Sequence, residues 1–170
     1  MSPQNPVTIT VPFYSIATLS VEVYMDVEVL NFAELSKEQL YTILKNRFEV
    51  FFLEQDCICQ DMDDEDQRAA HLLLTEGGEL LAYARLFLPG QVYEEASIGR
   101  VLVPKVFRGK GLGRDLTRAA IEWLESKVPG CKIKISAQQH VEQFYQEFGF
   151  VSQGGIYDAC GIAHIKMVRG

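Results

Sequence analysis

The chain reads as an α/β (α+β) protein with a mixed central sheet flanked by helices on both faces. Three observations predict this. Two apolar runs meet at Gly77-Gly78 in "HLLLTEGGELLAYARLFL", a signal for two adjacent antiparallel strands. The run "SIGRVLV" is followed by a Gly-rich turn and then by apolar residues at helical spacing, which reads as a crossover unit. "CKIKISA" gives a further strand beyond that helix, and the tail to Gly170 reads as another hairpin. Hairpins combined with crossovers require strands of both directions in one sheet.

The elements follow in order. Residues 1–25 form a low-charge lead-in, an extra edge strand or a tail, and residues 26–170 form one domain. A short alternating strand is expected from Asp26 to Phe32. Ser36 with Gln39 three residues later is a capping-box pattern, and Leu40, Ile43, Leu44 and the stretch from Arg47 to Phe51 carry that helix onward. The hairpin strands lie near 71–75 and 79–88. Leu112, Leu116, Ala119, Ala120, Trp123 and Leu124 share one face of the next helix, which Pro129-Gly130 ends. "HVEQFYQEFGF" reads as a short helix closed by Gly149.

Bulk properties narrow the function. The chain has 170 residues, 48% of them hydrophobic, with a formal net charge of −7. Its pI near 5.0 argues against nucleic-acid binding, which asks for a neutralising basic face. No apolar stretch reaches the roughly eighteen residues needed to span a bilayer, and no basic-plus-apolar secretory start is seen, so a cytoplasmic location is expected. Cys57 and Cys59 are spaced C-x-C rather than C-x-x-C, and Cys131 and Cys160 stand far away. These four are therefore expected as free thiols in a reducing compartment, and no metal is expected. The acidic run "DCICQDMDDED" reads as a solvated loop. A calcium loop is disfavoured, because the required glycine is missing and Leu72 falls at position twelve counted from Asp61.

The Gly-rich turn "RGKGLG", Arg108 to Gly113, is the most informative stretch. A nucleotide-hydrolysing P-loop needs Ser or Thr after its lysine, whereas Lys110 is followed by Gly111. A dinucleotide fingerprint needs its third glycine one residue later than Gly113 and an acid after the next strand, where this chain has Lys132 and Lys134. What remains is a backbone cradle at a helix start, with Arg108 and Lys110 at its rim. That combination suits a pyrophosphate held without a metal.

"VLVPKVFRGKGLGRDL" resembles the acetyl-CoA motif of the GCN5-related N-acetyltransferase (GNAT) superfamily, and "FYQEFGF" resembles its second hallmark, a tyrosine in a helix ending in Gly-Phe. "RFEVFFLEQDC", the acidic run, "AYARL", "IGRVLV" and "GIAHIKM" resemble the ElaA-type branch, so the likeness covers roughly residues 26 to 169. The resemblance implies a GNAT fold with a mostly antiparallel sheet. It implies transfer of acetyl from acetyl-CoA directly to a primary amine, on a small molecule or peptide, in a ternary complex without a metal. A homodimer is also in keeping with it. Two other readings stand beside it: a non-catalytic acyl-CoA-binding module, and an acyl-homoserine-lactone synthase-like acyltransferase.

The same resemblance assigns roles. Gly109, Gly111, Leu112 and Gly113, with Arg108 and Lys110, would hold the pyrophosphate. The backbone of Val101 and Val103 would bind the pantetheine as an added strand, and a bulge near Val101–Leu102 would present an N–H to the thioester carbonyl. Gln138 stands where relatives carry a pantetheine-binding asparagine. Tyr145 would protonate the leaving thiolate. For the base, Glu54 leads. Arg47, His71, Arg100 and His164 are acceptor-site candidates, and Arg100, a charge inside a strand, must be paired with an acid such as Glu54 or with an acceptor carboxylate.

Overall fold

The computed structural model describes residues 11–12 and 24–170. Most of the lead-in, expected as an edge strand or tail, lies outside the described residues. Its two described N-terminal residues, Val11–Pro12 (β1), pair antiparallel with Met25 and Tyr24. The remaining strands are β2 (Tyr24–Asn31), β3 (Ala70–Glu76), β4 (Glu79–Phe87), β5 (Ala96–Leu102), β6 (Ile133–Gln138), β7 (Val151–Ala159) and β8 (Ile162–Arg169). The helices are α1 (Lys37–Arg47), α2 (Leu112–Lys127) and the short α3 (Glu142–Gln146). The sheet runs in the order β1-β2-β3-β4-β5-β6-β8-β7, antiparallel throughout except for β5 beside β6. The parallel pair is the one joined through α2, as a crossover connection demands.

Local chemistry accounts for these boundaries. Ser36 accepts a hydrogen bond from the Gln39 N–H at 3.0 Å, and the Gln39 side chain accepts from the Ser36 N–H at 2.9 Å, completing the capping box. The helix that follows does not stay regular: after Arg47 the chain continues as a π-helix over Phe48–Glu54. Such widened turns are rare and gather at functional sites. Gly77 and Gly78 both take positive φ, as the tight β3–β4 turn requires.

Side chains alternate across the sheet and fill two cores. Leu72 and Leu74 of β3 cluster with Leu86, Ile133 and Met167 of the sheet and with Leu116 and Leu124 of α2. Leu73, between them, faces α1 and packs with Ile43, Val50, Leu80, Tyr83 and Leu102. Strands buried on both faces are therefore the physical reason that β3 and β4 read as nearly unbroken apolar runs.

Two irregularities shape the centre of the sheet. Between the pairs Tyr83↔Leu102 and Arg85↔Gly99, β5 spends one residue more than β4, and Arg100 takes a φ of +51° there. This is a β-bulge, which bends its strand and raises the local twist. On the other side β5 pairs with β6 only at Ala96↔Ile133 and Ser97↔Lys134. Beyond these pairs the two strands part.

The acidic run is largely exposed, as a solvated loop would be, but three of its carboxylates are anchored. Arg47 donates to Asp61 Oδ2 at 2.7 Å and to Asp66 Oδ1 at 2.8 Å. Arg85 donates to Asp63 at 2.6 Å and shares Asp66 Oδ1 at 2.8 Å. Arg100 donates to Asp61 at 2.6 Å and to Asp63 at 3.1 Å. Three guanidinium groups from α1, β4 and β5 thus neutralise three carboxylates and stitch the loop across the sheet. Arg47 and Arg85 lie within the protein, where an unpaired charge is prohibitive, and this is why the loop is acidic. Among the described residues, one buried side-chain polar atom, Arg85 Nε, has no partner.

Burial pushes the Asp66 carboxyl up, but hydrogen bonds from Arg47 and Arg85 outweigh it and hold the group below the ordinary range. Asp63 behaves likewise, with Arg85 and Arg100 overcoming its burial. A depressed carboxyl stabilises the fold above its unfolded value, about 3.9 for Asp, and that stabilisation is lost as pH falls toward the folded value. Urea unfolding midpoints are therefore expected to hold between neutral pH and about pH 5, then fall below about pH 4. Asp66→Asn takes one of two carboxylate partners from each of two buried guanidiniums, so it should lower stability at pH 7 by about 3 kcal/mol and flatten the acid-side decline.

Candidate active site

The chain leaves β5 through Pro104 and one 3₁₀ turn, Lys105–Phe107, in which the Phe107 N–H donates to the Pro104 carbonyl at 2.9 Å. Gly109 and Gly111 then take φ of +79° and +85°, a region where side chains are penalised. Gly111 is the N-cap of α2, so the unpartnered first N–H groups and the positive end of this sixteen-residue helix open at the turn. A Cβ built on Gly109 or Gly111 meets no protein atom within 4 Å, which leaves open space above the turn. At Gly113 a Cβ would stand 3.9 Å from the Phe144 ring, so this third glycine brings α2 close to α3.

From the turn a cleft of about 940 Å³ follows the gap between β5 and β6. Val101, Leu102 and Val103 line one wall, and Ile135, Ala137 and Gln138 line the other. Arg108, Gly109, Gly111, Leu112 and Gly113 line the turn end. Lys110 is not part of the lining; its ammonium lies 5.6 Å from the centre of the Phe107 ring. The Arg100 bulge lies in this wall, one residue before the expected position.

Tyr145 of α3 faces the same cleft, packed edge-on to Phe144 and Phe150 with ring centres 5.0 and 5.8 Å away. Burial pushes its phenol up to about 12, so it carries its proton at neutral pH. Gln138 donates from Nε2 to Gln55 Oε1 at 2.9 Å, tying the end of β6 to the end of the π-helix. Glu54 also lines the cleft and is held by both terminal nitrogens of Arg108, whose Nε donates to the Val103 carbonyl at 2.9 Å. The Arg108 hydrogen bonds hold the Glu54 carboxyl below its ordinary range. The residue expected on a pyrophosphate and the expected catalytic carboxylate are thus paired with each other.

The acceptor candidates divide. His164 and Arg100 line the cleft, and His164 Nδ1 lies 2.8 Å from the Ile162 carbonyl. Arg100 pairs with Asp61 and Asp63, not with Glu54. Arg47 and His71 are fully buried and do not reach the cleft. Arg47 anchors the acidic loop. His71 sits between the Tyr83 hydroxyl at 2.8 Å and the Asp66 carbonyl at 3.0 Å, and burial lowers its pKa. Both are structural here, because buried polar groups need fixed partners.

The structure also overturns the expectation of four free thiols. Cys59 and Cys160, 101 residues apart in sequence, form a disulfide, and Cys57 and Cys131 are free. Cys57, Cys59 and Cys160 all line the cleft. Nothing in the spacing announced this pair, which only the tertiary fold brings together. Lys134, another lining residue not anticipated, stands 4.9 Å from the Tyr93 ring centre and 3.4 Å from Glu95. Among the described residues no helix is long and apolar enough to cross a membrane.

Known proteins resemble this chain in sequence and in fold. Residues 31–169 match the family described as Acetyltransferase (GNAT) domain. A UPF0039 protein of Synechocystis is 43% identical over 138 residues, covering 81% of this chain and 90% of the relative. Protein ElaA of Escherichia coli is 38% identical over 142 residues, covering 82% and 93%. The crystal structure of an acyl-CoA N-acyltransferase from Pseudomonas aeruginosa superposes with a TM-score of 0.82 at 35% identity, covering 86% of this chain and 99% of that one. With its mixed sheet, glycine turn and splayed central strands, the chain belongs to the GNAT acetyltransferase family, in its ElaA-type branch.

Proposed function

We propose that this protein transfers an acetyl group from acetyl-CoA directly to a primary amine, with donor and acceptor bound together. The observation that carries this reading is that one continuous cleft holds both the glycine turn and Tyr145. The backbone N–H groups at Gly109–Gly113 would take the pyrophosphate, with Arg108 supplying charge. The pantetheine would lie in the gap where β6 leaves β5, meeting the backbone of Val101 and Val103 as an added strand. The Arg100–Val101 bulge falls between ladder pairs of β4 and β5, and one N–H there would stabilise the oxyanion.

The chemistry then needs two protons off the acceptor nitrogen, one before and one after it attacks, and one proton onto the departing sulfur. The amine must lose a proton before it attacks, since a free amine near pKa ~10 is mostly charged at neutral pH. Glu54 is assigned to that step, directly or through a water, once the donor's pyrophosphate shares Arg108 with it. The neutral amine adds to the thioester carbon, and the C–S bond breaks as the resulting oxyanion collapses. The departing thiolate takes the Tyr145 proton, and the second nitrogen proton returns to the Tyr145 oxygen through water. Tyr145 has the proton to give at neutral pH, because burial favours its neutral form.

Incubation with acetyl-CoA and a panel of amines, following thiol release, tests the reading. Acetyl-CoA should protect the protein against heating, and absence of protection would overturn it. Protection without turnover across the panel would favour a non-catalytic acyl-CoA-binding module. Tyr145→Phe should lower kcat by about a hundredfold while leaving the acetyl-CoA Kd nearly unchanged. Gly111→Val forces a side chain to a φ of +85° and should weaken acetyl-CoA binding by about tenfold or more, read by calorimetry. Glu54→Gln should depress kcat/KM at pH 7 by about tenfold or more, and activity should recover as pH rises, because the amine is then increasingly neutral.

A further inference from the structure

Between two anchored points, the segment 56–60 crosses one rim of the cleft. Gln55 is held by Gln138, and Asp61 is held by Arg47 and Arg100. Within the segment the described hydrogen bonds are local: the Cys59 N–H donates to the Cys57 carbonyl at 2.9 Å, and Gln60 Nε2 donates to the Met62 carbonyl at 2.9 Å. Its described bond to the β7–β8 turn is the covalent one, Cys59 to Cys160. The third sulfur, on Cys57, lies within 4.8 Å of both bonded sulfurs. Cys57 is half-buried and Cys160 is exposed, so small reagents can reach the cluster.

We propose that Cys57, Cys59 and Cys160 form a thiol–disulfide exchange site, open to small-molecule dithiols and disulfides, that fastens or frees this rim of the cleft. On reduction, one thiolate of a dithiol attacks the Cys160 sulfur, and Cys59 leaves as a thiolate and takes up a proton. The second thiol of the reagent then displaces Cys160, so two electrons pass to the protein and the reagent becomes a disulfide. Re-oxidation by a small-molecule disulfide runs the same exchanges in reverse. Without any net redox change, the Cys57 thiolate can also attack the Cys160 sulfur, giving a Cys57–Cys160 link and releasing Cys59. The acidic network and the Gln55–Gln138 contact bound the freed segment, so the change is confined to the rim. Its effect on acyl transfer rests on the function proposed above.

The full chain is treated with oxidised glutathione or with dithiothreitol, then alkylated, digested and mapped by mass. The oxidised protein should show two alkylated cysteines and Cys160 linked to Cys59 or Cys57, while the reduced protein shows four alkylated cysteines. In Cys57→Ser only the Cys59–Cys160 link should remain. Reduction should raise amide exchange in residues 56–60 by about tenfold. It should shift the acceptor KM by about fivefold with the acetyl-CoA Kd unchanged. Cys160→Ser should behave as reduced protein under both conditions. Four alkylatable cysteines after oxidation would overturn the proposal. So would equal amide exchange in both states, an unchanged acceptor KM in an active enzyme, or a response to dithiothreitol that persists in Cys160→Ser. A redox-dependent map and exchange pattern with no turnover on any amine would instead sink the acetyltransfer reading and leave the exchange site standing.

Discussion

One extra residue in β5 organises the centre of this molecule. The bulge at Arg100 forces a non-glycine residue into the left-handed region, a strain that persists only where surroundings compensate for it. The compensation is ionic: the side chain reaches Asp61 and Asp63 and so joins the network that holds the acidic loop. The same bend takes β5 out of register with β4 just where β6 has parted from it on the opposite side. Strand geometry, part of the loop's anchoring and the cleft wall therefore meet at one extra residue.

The arginine–aspartate network changes how the chain's charge is understood. An excess of acid concentrated in one loop suggests attraction of a cationic partner. Three of its carboxylates are instead balanced within the fold, each by at least one guanidinium that has almost no contact with water. Replacing such groups by apolar ones is often harmless in general, whereas removing one member alone is not. The loop's acidity is best understood as the counterpart of buried Arg47 and Arg85.

Much of the fold was legible because it is local. The Ser36–Gln39 box, the Gly77-Gly78 turn and the apolar face of α2 are written in spacings of a few residues, and the strands they bound lie within a residue or two of expectation. The glycine turn was legible for the same reason, since φ and helix polarity follow from adjacent residues. What could not be read depends on residues far apart. The partners of Arg100 lie 37 and 39 positions away, and those of Arg108 and Cys160 lie 54 and 101 away. Periodicity carries no information about such meetings. The π-helix was missed because widening a turn leaves the apolar pattern nearly intact. His71 is an acceptor-site candidate by residue type, but its burial between Tyr83 and Asp66 is set by sheet packing that its neighbours in sequence do not reveal.

The two-pair junction between β5 and β6 has a mechanical meaning. It divides the sheet into a half containing β2–β5 and a half containing β6–β8, coupled through Ala96–Ser97 and Ile133–Lys134 and through the helix α2. A molecule lodged in the gap would act as the mortar between two panels, supplying the contacts that a continuous ladder would otherwise provide. Occupancy at about a hundred times its dissociation constant would add about 2.7 kcal/mol to the whole fold. Rigidity of the assembled sheet is, by this construction, a property that the chain shares with its guest.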